Sequence, residues 1–143
     1  MNSYDASVPI RFSDIDGFGH VNHAKYLTYC EDHRTVMFTQ MGEETGSWLL
    51  VSGFSVVKLD CEYRAPLGLA DKVVDVRCSV EKLGTTSVVL SYELIGHGDV
   101  VAMLKTTIVL TEGARPRPMT HEERSWLRKF QSEDRRNIND HRS

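Results

Sequence analysis

The segment from residue 14 to residue 26 reads DIDGFGHVNHAKY and carries two carboxylates, two glycines and two histidines before a segment with helical spacing. The first amides of a helix have no partner within it, and the helix dipole adds positive potential there. Glycines let a loop bring such donors close to a ligand, and a carboxylate beside them can act as base or nucleophile. The pattern predicts a loop that polarises a carbonyl oxygen and attacks its carbon, as acyl transfer to water requires.

The carboxylates and Asn22 also have simpler structural interpretations. Asp16 alone would be a turn residue, because aspartate side chains often bond to nearby backbone amides. Asp14 is predicted to be structural, bonding to loop amides or to Arg11. Asn22 stands where the N-cap of the following helix belongs.

The spacing of His20 and His23 can suit a metal on a helix, but no third ligand lies near them in the sequence, so no metal site is predicted. His20 is predicted to support the loop by hydrogen bonding. His23 is either a contact or second base on the substrate side or part of the helix cap, and the sequence leaves both open.

A strand over residues 6–13 and a long helix are predicted to flank this loop. Pro9 places the strand at a sheet edge or a strand start. Helical spacing of apolar residues predicts one helix from His23 to Met41, with Gly42 as its stop.

Most of the remaining chain alternates apolar and polar residues with period two, which predicts strands over 54–63, 73–83, 85–95 and 100–111. The last three are predicted to form an antiparallel meander with short turns. In the first, four apolar residues share one face: Val57, Leu59, Cys61 and Tyr63. Thr120 and Glu123 form a capping-box pattern before a short C-terminal helix. The predicted fold class is α+β, with one long helix across the concave face of an antiparallel sheet. One domain is expected over residues 1–130, followed by a polar tail over 131–143.

The composition excludes several classes of function. A net charge of −3 and a pI near 6.1 do not suggest a nucleic-acid partner. No signal-peptide pattern and no run of apolar residues long enough for a membrane span occur, so a cytoplasmic protein is predicted. Three widely spaced cysteines argue against a disulfide framework and are predicted to be small buried residues.

The run RFSDIDGFGHVNHAKYLTYCEDHR resembles the opening motif of the hotdog-fold acyl-CoA thioesterases of the 4-hydroxybenzoyl-CoA thioesterase group, over about residues 8–34. HVNHAKY is also similar to plant-type acyl-carrier-protein thioesterases, and YRAPLGLADKV agrees with the later strands in arrangement. The resemblance implies a hotdog fold, in which an antiparallel sheet wraps one long central helix. It also implies an active site at a subunit interface, in a homodimer or homotetramer that needs no cofactor.

The resemblance assigns roles to individual residues. Asp16 takes the place of the catalytic carboxylate, the backbone N–H of His23 that of the oxyanion donor, and Gly19 permits the turn of the loop. Substrate contacts are expected from four further residues: His20, Asn22, Tyr26 and Arg64.

Other charged residues are weaker candidates. Arg77, Lys82 and Lys105 could meet CoA phosphates, but Arg64 stands out because it precedes Pro66 at a strand end. Glu31 is a reserve candidate for the catalytic carboxylate, although a salt bridge with Arg34 is the simpler interpretation.

Two functions follow as hypotheses. The first is a thioesterase that hydrolyses an acyl-CoA or an acyl-carrier-protein thioester, with Asp16 as general base or nucleophile. The second is a hotdog protein that binds an acyl thioester without hydrolysing it, and a dehydratase of the same fold is a weaker third.

Overall fold

One antiparallel sheet forms the framework of the protein, whose computed structural model describes residues 2–131. The strands lie in the order β1-β3-β4-β5-β2, and β6 pairs with β5 outside this path. Their bounds are β1 (Tyr4–Pro9), β2 (Phe54–Tyr63), β3 (Val73–Leu83), β4 (Ser87–Gly96), β5 (Asp99–Glu112) and β6 (Arg115–Pro116). Because β3, β4 and β5 follow one another directly, the predicted meander is confirmed.

The inward face of the meander is apolar, as period two predicts. Every second residue of these three strands is buried, and rows such as Cys78, Tyr92 and Leu104 lie side by side across them. A tight turn at His97 and Gly98, both with positive φ, joins β4 to β5.

Helix α1 (Lys25–Thr45) covers this face and buries, among others, Tyr26, Tyr29, Met37, Phe38 and Met41. The predicted bounds of the helix are wrong at both ends. The helix continues through Gly42. Glycine stands there because Trp48 packs so closely that a Cβ would lie 2.3 Å from the indole. It ends at Gly46, whose φ of 80° suits the left-handed helix cap.

Three further elements were not predicted. Pro9 ends β1, so the predicted strand over 6–13 gives way to a single 3-10 turn, Phe12–Asp14. A short helix, α2 (Leu49–Ser52), follows α1, and a second 3-10 turn, Leu69–Asp71, precedes β3.

The predicted salt bridge between Glu31 and Arg34 is wrong. Arg34 is only 6% exposed, and its Nε donates to the Tyr92 hydroxyl at 3.0 Å, whereas Glu31 is exposed. Of the three cysteines, two are buried as predicted and Cys61 is half-buried. Burial raises the pKa of the Cys78 thiol to about 12, so this group is not a thiolate at neutral pH.

Strand β2 differs from the other long strands because it has a neighbour on one side only, β5. The apolar row that was predicted on one face of this strand, Val57, Leu59, Cys61 and Tyr63, is largely exposed. Val57 is 59% exposed beside a register shift, and Leu59 and Tyr63 are 39% and 40% exposed. The sheet thus ends in an apolar edge.

Helix α3 (His121–Arg128) begins with the predicted capping box, in which Thr120 Oγ1 accepts from the Glu123 amide and Glu123 accepts from the Thr120 amide. Of the predicted polar tail only Gln131 is described, and it is buried; residues 132–143 lie outside the described range. Among residues 2–131, no helix is both long and apolar enough to span a membrane.

The Glu123 carboxylate is 1% exposed and joins three parts of the chain. Arg117 donates to both of its oxygens at 2.9 and 2.7 Å, and the Ser47 hydroxyl donates at 2.5 Å. Burial alone would raise the pKa of Glu123, but the bonds from Arg117, Ser47 and the Thr120 amide outweigh it and lower the pKa from 4.5 to about 2. The ionised carboxylate therefore stabilises the folded state above pH 4.5, and this contribution is lost as pH falls towards 2.

Replacing Glu123 by Gln is expected to lower the free energy of unfolding at pH 7 by about 3 kcal/mol, because a half-buried Arg117 loses its counter-charge. The difference from wild type should shrink below pH 4.5, because Glu123 takes up a proton in the unfolded chain there while the folded carboxylate stays ionised down to about pH 2. Urea unfolding at pH 7 and pH 3 measures both effects. Glu122→Gln, next to it but exposed, is the control and should change stability by less than about 0.5 kcal/mol. A difference that is independent of pH would contradict this account.

Candidate active site

The loop between β1 and α1 is held at its base by a buried carboxylate. Asp14 is 5% exposed, and its Oδ2 accepts from the Arg11 amide at 2.9 Å and from the Tyr29 hydroxyl at 2.8 Å. Lys25 Nζ lies 4.0 Å from the other oxygen, and the Asp14 carbonyl accepts from the Asn22 amide at 2.8 Å. The predicted structural role of Asp14 is confirmed, although it is the amide of Arg11 that it binds.

Asp16 begins the tight part of the loop. Its Oδ1 accepts from the amides of Phe18 and His20 at 2.8 and 3.3 Å, and its own amide donates to the His20 carbonyl at 2.8 Å. Gly19 has a φ of 80°, which explains why glycine stands at the turn. Among residues 2–131, Oδ2 of Asp16 has no hydrogen-bond partner, so one oxygen is held by the turn and the other is available.

The start of α1 differs from the prediction. The N-cap position is Ala24, which has no side-chain cap, and Asn22 Oδ1 accepts from the Ala24 amide at 2.9 Å. Asn22 thus supports the approach to the helix without being its N-cap. Within the described chain, the His23 amide has no hydrogen-bond partner, so a backbone donor is left free beside the helix start.

A cavity of about 640 Å³ opens between this loop and the end of β2. Five of the seven predicted site residues line it: Asp16, His20, His23, Tyr26 and Arg64. Gly19 and Asn22 do not line it; they shape the loop. Glu31, Arg77, Lys82 and Lys105 are not among the lining residues.

Sequence reasoning missed the other lining residues, which are Phe18, Val21, Tyr63, Ala65 and Pro66. Phe18 is 88% exposed at the loop tip, where a large apolar residue has no structural need to be. Tyr63 was predicted only to share one face of a strand with Val57, Leu59 and Cys61. Its hydroxyl donates to the His23 carbonyl at 2.8 Å, and its ring stacks on the imidazole with centroids 4.5 Å apart.

A strap over residues 67–71 forms the rigid wall behind the loop. The Leu67 carbonyl accepts from the Val21 amide at 2.7 Å, and the Leu67 amide donates to the Tyr26 hydroxyl at 3.1 Å. Leu67 is fully buried against Gly96, where a Cβ would lie 2.5 Å from its side chain. Asp71 holds the strap by accepting from the Gly68 amide, so the Tyr26 ring has a fixed place in the cavity.

Two charged residues decide the polarity of the cavity. Asp16 contributes a half-exposed carboxylate, and Arg64 contributes an exposed cation at the other side, paired only loosely with Glu62 at 3.5 Å. No group of three or more His, Cys, Asp or Glu side chains in residues 2–131 is arranged to hold a metal ion. The arrangement offers a carboxylate, a backbone donor and a cation around one apolar wall.

Comparison with protein families identifies residues 10–127 as a match to the Thioesterase-like superfamily. The chain belongs to this superfamily. A thioesterase of Thermus thermophilus, crystallised with coenzyme A and Zn, is 30% identical over 88% of this chain and 92% of its own, with a TM-score of 0.78.

Other thioesterase-like structures agree in fold. A gentisyl-coenzyme A thioesterase is 26% identical, with a TM-score of 0.77, over 87% of this chain and 99% of its own. A predicted thioesterase of Bacillus stearothermophilus superposes with a TM-score of 0.79 at 22% identity, over 91% of this chain and 97% of its own. The thioesterase hotdog fold predicted from the sequence is therefore confirmed, with a curled antiparallel sheet, a long central helix and a short C-terminal helix.

Proposed function

We propose that this thioesterase superfamily member hydrolyses acyl-CoA, with Asp16 acting on the thioester carbonyl and the His23 amide binding its oxygen. The observation that carries the proposal is that one cavity is lined both by Asp16, with an available carboxylate oxygen, and by His23, whose amide is unpartnered in the described chain. The carbonyl of a thioester bound between them would meet a donor on its oxygen and a carboxylate on its carbon.

The His23 amide would stabilise charge that develops on the carbonyl oxygen. In the transition state this oxygen becomes an oxyanion, and a backbone donor near a helix start favours the charged form more than the neutral carbonyl. Because the His23 amide would stabilise the transition state more than the bound substrate, it would lower the activation barrier for hydrolysis.

Asp16 would act on the carbonyl carbon in one of two ways, and both remain open. As a general base it takes a proton from water, whose oxygen bonds to the acyl carbon while the C–S bond breaks and the thiolate is later protonated. As a nucleophile its oxygen bonds to the acyl carbon while the C–S bond breaks and the thiolate leaves, and water then cleaves the acyl anhydride to the free acid and the Asp16 carboxylate. In either case the amides of Phe18 and His20 hold one carboxylate oxygen, which orients the other.

Arg64 and Tyr26 would contact the two ends of the substrate. Arg64 is an exposed cation at the cavity and suits the phosphates of CoA. Tyr26, 1% exposed and held by the strap, would form a wall of the acyl pocket. The coenzyme A bound to the Thermus thermophilus relative supports a CoA thioester as substrate. An acyl-carrier-protein thioester is the alternative, and the free thiols of all three cysteines suit a cytoplasmic location.

A second copy of the chain would complete the site by pairing along β2. The edge of this strand is long, apolar and unpaired within residues 2–131, which makes it a template for another strand. Tyr63, Arg64 and Pro66 stand at its end and line the cavity, so pairing there would bring a partner next to the substrate. A homodimer, or a homotetramer built from it, is therefore part of the proposal.

One observation favours the second candidate function, binding without hydrolysis. Oδ1 of Asp16 already serves the loop turn, which alone would be a sufficient reason for an aspartate there. A protein of this kind would hold an acyl thioester in the same cavity and release no thiol.

The first test is thiol release from a panel of acyl-CoA thioesters, short, long and aromatic, with Asp16→Asn beside wild type. The variant is expected to lower kcat by about a hundredfold or more, because the asparagine side chain can neither accept the proton from water nor attack the thioester carbonyl. Acyl-CoA binding, measured calorimetrically, should change by less than about threefold.

Asp32→Asn, on α1 but away from the cavity, is the control and should match wild type. No thiol release by wild type, with binding retained, would replace hydrolysis by the binding function. Equal turnover in wild type and Asp16→Asn would remove Asp16 from the mechanism.

Replacing Arg64 by Ala is expected to raise KM for acyl-CoA about fivefold, since an exposed cation contributes about 1 kcal/mol to phosphate contact. The same acyl group on N-acetylcysteamine, which has no phosphates, should show no change. Arg77→Ala is the control, because Arg77 pairs with Asp5 and Glu93 away from the cavity. If the effect were equal for both thioesters, Arg64 would not contact the CoA phosphates.

Wild type is expected to sediment as a dimer or tetramer, and Leu59→Lys should shift it towards monomer and lower turnover. The reason is that a charge on the apolar edge opposes strand pairing. Leu50→Lys on α2 is the matched control, because Leu50 is 45% exposed and Leu59 is 39% exposed. It should change neither the oligomeric state nor the turnover. A monomeric wild type with full activity would rule out completion of the site by a second copy.

A further inference from the structure

Tyr63, the last residue of β2, contacts the approach to α1 in two ways. Its hydroxyl donates to the His23 carbonyl at 2.8 Å, and its ring stacks on the His23 imidazole with 31° between the ring planes. The two residues are 40 positions apart in the sequence. The contact therefore joins the end of an edge strand to the start of the central helix.

The first turn of α1 has few bonds of its own. Its N-cap residue, Ala24, has no side-chain cap, and the other bond to the His23 carbonyl, from the Tyr26 amide, is long at 3.3 Å. Helix ends with unsatisfied groups tend to fray. The Tyr63 hydroxyl gives the shorter of the two bonds to this carbonyl, so it contributes much of the order of the backbone at residue 23.

We propose that Tyr63 is a positioning residue, which holds the backbone of His23 so that the His23 amide is aimed at the thioester oxygen. This inference rests on the proposed function, because it needs that amide to be the oxyanion donor. The amide and the carbonyl of His23 lie in two peptide planes that meet at one Cα atom. Loss of the bond that holds the carbonyl therefore loosens the position of this Cα atom and of the amide attached to it. A displacement of about 1 Å at a catalytic group can cost about a hundredfold in rate.

The hydroxyl of Tyr63 is suited to this role because it remains a donor. Burial, followed by the hydrogen bond with Cys61, raises the pKa of Tyr63 to about 12. The phenol therefore stays protonated over the pH range in which thioester hydrolysis is assayed. It also follows that Tyr63 does not act as a base, so its removal should not change the shape of the pH–rate profile.

The Tyr63→Phe variant keeps the stacked ring and removes only the hydroxyl. It is expected to lower kcat about tenfold, the equivalent of one hydrogen bond, while KM changes less than about threefold. The pH–rate profile should keep its shape at a lower plateau. Tyr63→Leu, which also removes the stacked ring, should lower kcat further. Amide exchange at Ala24, Lys25 and Tyr26, measured by NMR, should be faster in both variants.

Tyr4→Phe is the matched control, because the Tyr4 hydroxyl bonds to Gln40 on the exposed side of α1. Its kcat should equal that of wild type. The positioning role is overturned if Tyr63→Phe keeps kcat within twofold of wild type. It is also overturned if Tyr63→Phe lowers kcat/KM only by raising KM, since that would make Tyr63 a substrate contact. Failure of the proposed function would show differently, as a wild type that releases no thiol.

Discussion

The burial of the Asp14 carboxylate is the constraint on which the active-site loop depends. Removing a carboxylate from water costs several kcal/mol unless donors replace the solvent. Here the donors come from two directions, the Arg11 amide at the end of β1 and the Tyr29 hydroxyl on α1. Burial and the hydrogen bond to Asp14 raise the pKa of Tyr29, so it remains a donor. The charge is satisfied only when strand, loop and helix are together, so the loop geometry follows from the packing of α1.

Asp14 and Asp16 are two residues apart in the sequence, yet their carboxylates have different roles. Asp14 is buried and bonded to the strand side and to the helix, while Asp16 is half-exposed with one oxygen in the turn and one available. The same division appears along α1. Its first turn borders the cavity, whereas its last turn leads to Ser47, which donates to the buried pair of Glu123 and Arg117. The ion pair of Glu123 and Arg117 thus lies at the end of the helix away from the proposed chemistry.

Features set by local sequence were predictable, and features set by distant residues were not. The inward faces of β3, β4 and β5 follow from period two because α1 covers that face of the sheet. Strand β2 has the same period, but Leu59 is 39% exposed, because the cover over a strand face is set by distant residues and not by the period. Gly42 was predicted to stop α1, but it is a packing glycine that leaves room for the indole of Trp48. Half of the ten cavity residues were predicted, and four of these lie within residues 16–26, whereas Tyr63 reaches His23 across the sheet.

The start of α1 lacks the usual side-chain cap of a helix, and it does so where the function is proposed. Helices usually begin with a side-chain cap, and an unpaired backbone donor costs about 1–3 kcal/mol when it is buried. Here the N-cap residue is Ala24, and the His23 amide is left without a partner in the described chain. Instead, Asn22 accepts from the Ala24 amide and Tyr63 donates to the His23 carbonyl. These bonds fix the turn and leave the His23 amide available to a ligand. His23 is exposed at the cavity, where water in the free protein, or a carbonyl oxygen in the complex, can take the place of a cap.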